Sequence, residues 1–389
     1  MGDGTGPCLT TYTARAFSGV CALKAVLAVF AVFCLLTGWS SLQAADEARA
    51  VGDPASVVFL SPGRSDEAFW IDTANFMDAA AQNLGMRLKV IHSERDASTL
   101  IEHARRIRNL PQPPDYLLFV NEMYTAPELL RIFDGSPVKL FALNSTLTAE
   151  QQAIIGGTRQ HYVNWIGSLV PDDEEAGYLM ARQLISLLGG QSTSMVAFSG
   201  VRSTPSAALR EQGLRRALAD NPQITLRQLV YGEWQRARAY EQARTLMQRH
   251  KDIRVVWSAN DEMAFGAMQA ARELGRAPGK KVYFAAMNSS QAVLQARVAG
   301  EVSVLFSGHF TLGGWAMVML HDYHAGQDFA QRGGKDRMLS VFRSLDAQQA
   351  ARLAQRLRMP GYGLDFKRFS AVYHPDLQQY DFSVAPLLE

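Results

Sequence analysis

The chain has 389 residues, with 39 lysines and arginines against 37 aspartates and glutamates, so its net charge is close to zero. This length is sufficient for two domains, and a hydrophobic content of 48% is ample for a buried core. The balanced charge excludes a strongly basic surface, and we therefore expect no nucleic-acid partner.

The first 45 residues have the pattern of a secretory signal peptide. Arg15 and Lys24 supply a positive region, and an apolar run follows over residues 25–36. The run is too short for a comfortable membrane span and small residues follow it, so we expect cleavage after Ala44 or Ala45. An uncleaved membrane anchor is the alternative interpretation. Cleavage predicts a mature protein in the periplasm.

All three cysteines, Cys8, Cys21 and Cys34, lie in this leader. The mature chain would therefore contain no disulfide, no thiolate metal site and no cysteine nucleophile. An exported protein without a covalent cross-link has to be stabilised by its core alone.

Short apolar strands alternate with amphipathic helices along the first part of the mature chain. The pattern predicts strands at 56–61, 87–91, 116–120 and 138–143, and helices at 69–84, 97–108 and 127–133. Continuous apolar strands separated by helices are typical of a parallel sheet that is covered on both faces.

The pattern then starts again with a helix over residues 172–188, whose first turn is acidic, as the helix dipole favours. Further strands are predicted at 195–199, 226–230, 255–257 and 282–286, and further helices at 206–219, 237–250, 262–274 and 291–298. Two such arrays predict two lobes with a ligand cleft at the carboxyl ends of their strands.

Two more amphipathic helices are predicted at residues 312–323 and 346–357, and an aromatic-rich tail follows Pro360. We expect the tail to pack on the lobes because of its apolar side chains. The first of these helices carries the sequence HDYH, in which His321, Asp322 and His324 have the residue types of a metal site. We interpret them as surface residues of an exposed helix and expect no metal, since no further convergent ligand is evident.

The segment VVWSANDEMAFGA, which begins at Val255, places polar residues directly between a strand and a helix. It resembles the NDxMAxGA signature of the type I periplasmic binding proteins, a family of sugar-binding proteins and LacI-like ligand-binding domains. The resemblance extends over about residues 55–324. In that family the Asn and Asp of the signature hydrogen-bond a small polar ligand, which implies this role for Asn260 and Asp261.

The resemblance also implies a fold of two Rossmann-like α/β lobes, with parallel sheets flanked by helices and hinged around a central cleft. The expected parts are an N-terminal lobe of residues 55–168 and 311–340, a C-terminal lobe of residues 170–308, and a C-terminal helix and tail, residues 346–389, that pack on the lobes. We expect the chain to cross between the lobes three times, near residues 167–172, 308–312 and 339–346.

Further ligand-binding residues follow from the same resemblance. Phe69 and Trp70 occupy the place of an aromatic pair that stacks on the ligand, although we expect one of the two to pack its helix instead. Trp234 occupies the place of another aromatic residue over the ligand. The sequence SAALREQG matches a Ser-x-x-x-Arg-x-x-Gly pattern that puts Arg210 in the cleft. We expect Arg210 to be solvated in the unliganded cleft, so that its removal hardly changes the stability of the fold.

Strand ends supply the remaining candidates. Asn144 follows one strand, Asn288 follows another where the family usually has an aspartate, and His309 lies in the segment that returns to the first lobe. With these amides, and with Arg64 and Arg210 facing the cleft, we expect a neutral to positive site. Three ligand hypotheses stay open: a sugar, a sugar acid or phosphate-bearing compound, and a furanose signal such as autoinducer-2.

The resemblance implies a solute-binding protein that closes on its ligand and presents it to an inner-membrane ABC permease. The alternative is a ligand-sensing receptor subunit for a membrane sensor kinase or diguanylate cyclase, like an autoinducer-2 receptor. The sequence contains no P-loop, no GxSxG elbow and no HExxH motif, so we expect neither an enzyme nor a cofactor.

Overall fold

The computed structural model describes residues 1–2 and 53–389. The apolar run, the cysteines and the cleavage site of the predicted signal peptide lie outside these residues. Residues Pro54–Glu389 form a unit of their own. Among the described residues, no helix is both long enough and apolar enough to span a membrane.

The described residues contain twelve strands. They are, in chain order, β1 (Ser56–Ser61), β2 (Arg87–His92), β3 (Tyr116–Phe119), β4 (Lys139–Leu143), β5 (Trp165–Pro171), β6 (Thr193–Ser199), β7 (Ile224–Tyr231), β8 (Ile253–Ser258), β9 (Tyr283–Met287), β10 (Val304–Ser307), β11 (Asp336–Leu339) and β12 (Arg343–Ser344).

Helices connect most of these strands. The α-helices of the described residues are α1 (Ala68–Leu84), α2 (Ala97–Arg108), α3 (Ala126–Ile132), α4 (Ala149–Ile155), α5 (Asp173–Ser186), α6 (Pro205–Ala219), α7 (Arg236–Arg249), α8 (Asp261–Glu273), α9 (Gln291–Val298), α10 (Leu312–His324) and α11 (Ala347–Arg356). Short 3₁₀ helices lie at Glu122–Tyr124, His309–Thr311, Phe329–Gln331, Pro360–Gly363, Phe366–Phe369 and Ala385–Leu387.

Two six-stranded sheets organise the fold, and their strand orders are equivalent. The first sheet has the order β11-β5-β4-β3-β1-β2 and the second has the order β12-β10-β9-β8-β6-β7. All neighbours in the first sheet are parallel. The second sheet is parallel except for β12, which runs antiparallel to β10. The predicted fold class, two α/β lobes with parallel sheets flanked by helices, is confirmed.

The alternating side chains of β1 show how one sheet is covered on both faces. Val57 and Phe59 belong to the apolar cluster that includes residues of α1, whereas Val58 and Leu60 belong to the cluster that includes Leu100 of α2. Successive side chains of a strand point to opposite faces, so each strand needs apolar residues at every position. This is the origin of the uninterrupted apolar runs in the sequence.

The chain passes between the two sheets at three places. β5 belongs to the first sheet as far as Pro171, and α5 begins the second lobe at Asp173. The chain returns after Ser307, at the end of β10, and leaves again between β11 and β12. The first sheet therefore extends a few residues beyond residue 168, and residues 343–344 belong to the second sheet.

The C-terminal segment is fixed to the first lobe by the carboxylate of Asp322 on α10, which is 0% exposed. The Ser370 hydroxyl, the Ala371 backbone N–H (2.6 Å) and the Tyr380 hydroxyl (2.8 Å) all donate hydrogen bonds to it. His321 is bonded to the same carboxylate through Nδ1 at 3.0 Å. The interpretation of the HDYH sequence as an exposed surface is therefore wrong. The segment covers this part of α10 and uses its polar groups as hydrogen-bond partners.

The same C-terminal segment also contacts the second lobe. Before it, α11 packs against α9, where Gln291 Nε2 donates to the carbonyl oxygen of Ala354 at 3.0 Å. Phe382 then stacks on Trp315 of α10, with ring centroids 5.2 Å apart, and the 3₁₀ helix at Ala385–Leu387 returns to α11. The segment therefore joins the two lobes in addition to the three passages.

We expect Asp322→Ala to lower the free energy of unfolding by about 3 kcal/mol, because several buried donors lose their acceptor at once. Urea unfolding of both proteins measures this difference. The matched control is Asp376→Ala, which changes an exposed aspartate of the same segment and should have an effect within about 0.5 kcal/mol. Equal stabilities of the two variants would contradict the anchoring role.

Candidate functional site

A cavity lies between the two lobes, at the carboxyl ends of the strands of both sheets. The space measures about 400 Å³ when the part that is open to solvent is included. The first lobe lines it with Glu67, Phe69, Trp70, Arg95, Glu122 and Asn144. The second lobe lines it with Thr204, Ser206, Arg210, Trp234, Asn260 and Asn288, and His309 lies at the passage between them. Parallel sheets commonly bind ligands at this edge.

Four lining residues that follow strands share a strained backbone. Arg95 follows β2 and Trp234 follows the equivalent strand β7, with φ of 61° and 64°. Asn144 follows β4 and Asn288 follows the equivalent β9, with φ of 63° and 117°. Positive φ is unfavourable for residues other than glycine and clusters at functional sites. The strain therefore marks this cavity independently of its shape.

A glycine makes room for each of the two tryptophans of the cavity. Gly63 follows β1 and faces the indole of Trp70, and Gly200 follows the equivalent strand β6 and faces the indole of Trp234. A Cβ atom at either glycine would overlap the indole ring. Only glycine at these positions lets the ring lie against the strand end.

The two residues of the predicted aromatic pair, Phe69 and Trp70, differ in burial and in contacts. Trp70 is buried and packs against Phe59, with ring centroids 6.0 Å apart, although its Nε1 has no hydrogen-bond partner among the described residues. Phe69 is half-buried and stacks on the ring of His309 at 4.5 Å. Both residues line the cavity, and Phe69 presents the more accessible ring.

Three charged side chains of the first lobe form an ion-pair network that the sequence analysis missed. Arg95 donates from Nε and Nη2 to the two carboxylate oxygens of Glu67, with a distance of 2.9 Å at Nε. Its Nη1 donates to Glu122 Oε1 at 2.7 Å. The side chains are mostly buried, and the charges of the two carboxylates raise the pKa of Arg95 against the effect of burial.

Arg210 is buried and paired, contrary to the expectation of a solvated guanidinium. It is 4% exposed, and its Nε donates to Oδ1 of Asp173, itself 2% exposed, at 2.7 Å. Its Nη1 donates to the carbonyl oxygen of Ala259 at 2.8 Å. Burial raises the pKa of Asp173, and the charge of Arg210 opposes this rise. The expectation was wrong because a residue 37 positions away supplies a carboxylate at the start of α5.

The signature residues Asn260 and Asp261 act mainly on protein groups. Asn260 caps α8 by accepting from the Met263 N–H at 2.9 Å, and its Nδ2 donates to the Trp234 carbonyl oxygen at 3.2 Å. Asp261 is buried behind the cavity wall and does not line it. It accepts from Asn288 Nδ2 at 2.7 Å and thereby holds that amide at the cavity. Burial raises the pKa of Asp261 to about 6.

His309 and Arg64 have contrasting environments. His309 is buried between Phe69 and Phe342, and burial together with the charge of Arg210 lowers the pKa of its ring well below the usual value. It is therefore neutral at pH 7.

Arg64 does not belong to the cavity, because its side chain is 39% exposed and bonded to the surface residue Asp66. The neighbouring residue Glu67 faces the cavity instead.

The two lobes contact each other around this cavity. The guanidinium of Arg95 lies 5.9 Å from the ring centroid of Trp234 in the opposite lobe. The 3₁₀ helix at Glu122–Tyr124 packs against α6. Ser289 Oγ, in the second lobe, is 3.5 Å from the carboxylate of Asp72 on α1. These contacts describe a closed arrangement of the lobes.

Asp72 lies at this boundary beside a second carboxylate. Burial, and after it the charge of Asp261, raise the pKa of Asp72 to about 7 against the opposing effect of the hydrogen bond from Ser289. No arginine, lysine or histidine of the described residues forms an ion pair with Asp72. Its ionised form is therefore unfavourable in the closed arrangement.

Comparisons with known proteins agree with this geometry. Residues 163–328 match the family model described as a periplasmic binding protein domain. The solved structure of a periplasmic sugar-binding protein from Pseudomonas fluorescens is 49% identical to this chain, with a TM-score of 0.79 over 86% of this chain and 100% of that one. The chain belongs to the type I periplasmic binding proteins.

More distant relatives of this periplasmic binding protein carry more specific names. The galactofuranose-binding protein of Escherichia coli is 21% identical over 268 residues, which are 68% of this chain and 80% of that protein. The ribose import binding protein of Salmonella typhimurium is 22% identical over 68% of this chain and 84% of its own length. The arabinose-binding component of an ABC transporter from Shewanella, solved with arabinofuranose, shares the fold with a TM-score of 0.67 at 20% identity, over 78% of this chain and 95% of that one.

We expect Arg210→Ala to destabilise this periplasmic binding protein by about 3 kcal/mol, since Asp173 would remain as a buried, unpaired charge. The double variant Arg210→Ala/Asp173→Asn should lose less than the single variant. Arg216→Ala, which breaks an exposed ion pair with Glu174, should cost at most about 1 kcal/mol. Urea unfolding of the three variants gives these values, and a stable single variant would restore the original expectation of a solvated arginine.

We expect Asp72→Asn to stabilise the protein at pH 8 and to lose this effect as the pH falls. The folded pKa of about 7 lies above the ordinary aspartate value of 3.8, so the folded state binds more protons than the unfolded state between these values. The unfavourable contribution of Asp72 is therefore full above pH 7 and disappears toward pH 4. The advantage of the variant at pH 8 should be a few kcal/mol, since each pKa unit corresponds to about 1.4 kcal/mol.

Urea unfolding at pH 8 and pH 5 tests this dependence. Asp78→Asn is the matched control, because it changes an exposed aspartate of the same helix. A difference between wild type and Asp72→Asn that is the same at both pH values would contradict the raised pKa.

Proposed function

We propose that this protein is exported to the periplasm, captures a sugar between its lobes and presents it to an inner-membrane ABC permease. The observation that carries the proposal is the mixture of groups facing one small cavity: aromatic rings, unused donors and unused acceptors. The Trp70 Nε1 donor, the Asn144 Oδ1 acceptor and the Nδ1 atom of neutral His309, which donates or accepts according to its tautomer, are buried without a partner among the described residues.

A sugar satisfies this mixture better than a purely apolar or purely charged molecule. Each hydroxyl both donates and accepts hydrogen bonds, and the apolar face of a sugar ring packs on an aromatic ring such as that of Phe69. The lining residues come from both lobes and enclose a space that is small, as a monosaccharide requires. The names of the relatives, which include galactofuranose and ribose binding, support the same class of ligand.

Binding would operate by closure of the two lobes. Both lobes supply lining residues, so a ligand gains its full set of contacts only in the closed arrangement and shifts the population toward it. Relatives named as import binding proteins favour delivery to a transporter over a receptor subunit for a sensor kinase or diguanylate cyclase. These relatives are also binding proteins, which supports a function without catalysis.

A thermal-shift screen of aldopentoses and aldohexoses, followed by titration calorimetry, tests the proposal. A ligand present at about one hundred times its Kd should add about 2.7 kcal/mol to the free energy of unfolding. The protein should first be unfolded, dialysed and refolded so that any bound sugar is removed. Failure of every neutral sugar to stabilise the refolded protein would contradict a sugar-binding function.

We expect Asn144→Gly to weaken sugar binding about tenfold or more while the fold stays intact, because the amide is lost and glycine accepts the positive φ. Glu94→Gly is the control, since Glu94 has a similar φ of 52° and is exposed outside the cavity. Calorimetric Kd values of both variants provide the comparison. Equal affinities would remove Asn144 from the site.

A further inference from the structure

Both arginines of the cavity wall already have carboxylate partners. All three side-chain nitrogens of Arg95 donate to Glu67 or Glu122. Arg210 donates to Asp173 and to a backbone carbonyl oxygen. An anionic ligand would therefore find no guanidinium whose charge is uncompensated, and it would have to compete with a buried carboxylate for either one.

The charges of this wall also do not leave a positive excess. Two lining arginines, Arg95 and Arg210, stand against two lining carboxylates, those of Glu67 and Glu122, and His309 is neutral. The partner of Arg210, Asp173, is buried behind the wall. The amides Asn144 and Asn288 pointed to a neutral to positive site in the sequence. The lining residues, with two arginines against the carboxylates of Glu67 and Glu122, lie at the neutral end of that expectation.

Among the described residues, Glu122 has one carboxylate oxygen that receives no hydrogen bond. The residue is 6% exposed and lines the cavity, and within the described part of the chain only its Oε1 receives a hydrogen bond, from Arg95. It follows β3 at the edge where the first lobe meets α6. The two residues after it, Met123 and Tyr124, have φ of 50° and 57°, so the backbone here is held in an unfavourable conformation by its surroundings.

A carboxylate in this position discriminates between ligands by charge. A hydroxyl that donates to Oε2 forms a charge-assisted hydrogen bond, which is stronger than a bond to an amide. A carboxylate or phosphate group of the ligand would instead place two negative charges together in a poorly solvated space. Burial and the charge of Glu67 raise the pKa of Glu122, and the charge of Arg95 opposes this rise. The ion pair with Arg95 Nη1 at 2.7 Å is the contact that favours the carboxylate form.

We propose that Glu122, fixed by Arg95, is the specificity-determining residue of this cavity, which accepts a hydroxyl of an uncharged sugar and excludes sugar acids and sugar phosphates. The inference rests on the proposed function and narrows its ligand to the neutral members of the class. It assigns to Arg95 a positioning role, since its nitrogens hold the two glutamates.

Titration calorimetry on matched pairs of probes tests the inference: D-galactose with D-galacturonate, D-ribose with D-ribose 5-phosphate, and the best neutral sugar of the screen with its uronic acid or phosphate ester. We expect the wild-type protein to bind the neutral member of a pair at least tenfold more tightly than the charged one. Glu122→Gln should weaken binding of the neutral sugar about tenfold, equivalent to 1.4 kcal/mol, and should reduce the discrimination within the pair.

Glu128→Gln is the matched control, because Glu128 lies on α3 of the same lobe, is largely exposed and pairs with Arg131. It should leave every Kd unchanged. Thermal unfolding without sugar establishes that both variants are folded, and the wild-type pairs test the charge preference even if Glu122→Gln is unstable.

The outcomes separate this inference from the proposed function. Neutral sugars that bind equally well to wild type and Glu122→Gln would overturn the role of Glu122 and leave the sugar-binding function in place. Tighter binding of a sugar acid or sugar phosphate by the wild type would overturn the inference as well. Absence of binding by every sugar tested, neutral or charged, would overturn the proposed function and the inference together.

Discussion

Buried arginines in the cavity wall require carboxylate partners, and this requirement determines how the site is built. Removing a guanidinium from water is costly unless an ion pair and hydrogen bonds replace the lost solvation. Asp173 meets the requirement for Arg210 across two helices, and Glu67 and Glu122 meet it for Arg95 across two loops. The polar groups that remain free in the cavity are therefore held in place before a ligand arrives, which lowers the entropic cost of binding.

The two lobes have nearly the same backbone conformation at the cavity but carry different side chains there. Arg95 and Trp234 follow one pair of equivalent strands, and Asn144 and Asn288 follow another. All four residues have a positive φ. A glycine after the first strand of each lobe leaves space for an indole ring. The backbone of the cavity is thus nearly repeated, whereas its chemistry is charged on the first lobe and more amide-rich on the second. A repeated scaffold with unequal side chains gives a ligand two distinct walls.

The sequence predicted β1–β4 and β6–β9 and missed β5, β10, β11 and β12, the strands near the passages. Buried parallel strands such as β1 and β3 are continuous apolar runs, and their pattern is visible without any knowledge of the fold. β5 contains Gly167 and Pro171, and β11 and β12 are short and partly polar, so they carry no such pattern. Their positions depend on pairing with strands far along the chain.

Site residues could be predicted from the sequence where they directly follow an apolar strand. Asn144, Asn260 and Asn288 follow apolar strands, and the carboxyl ends of parallel strands meet at one edge. The pairing of charges was not predictable, because Arg95 and its partner Glu67 are 28 residues apart and nothing in their local sequence indicates burial. The prediction of Arg64 in the cleft missed Glu67 for the same reason, because a shift of a few residues before α1 decides which side chain faces the cavity.

The contacts between the lobes indicate how closure is balanced. The cation–π contact between Arg95 and Trp234, at 5.9 Å, is at the limit of such interactions, and the Ser289 to Asp72 hydrogen bond is long at 3.5 Å. Against them stands the approach of Asp72 to Asp261, which carries a cost while Asp72 is ionised. These terms oppose one another, so the contacts between the lobes are only weakly favourable by themselves. In the proposed function, a ligand that bonds to both walls would supply most of the free energy of closure, and closure would then report that the site is occupied.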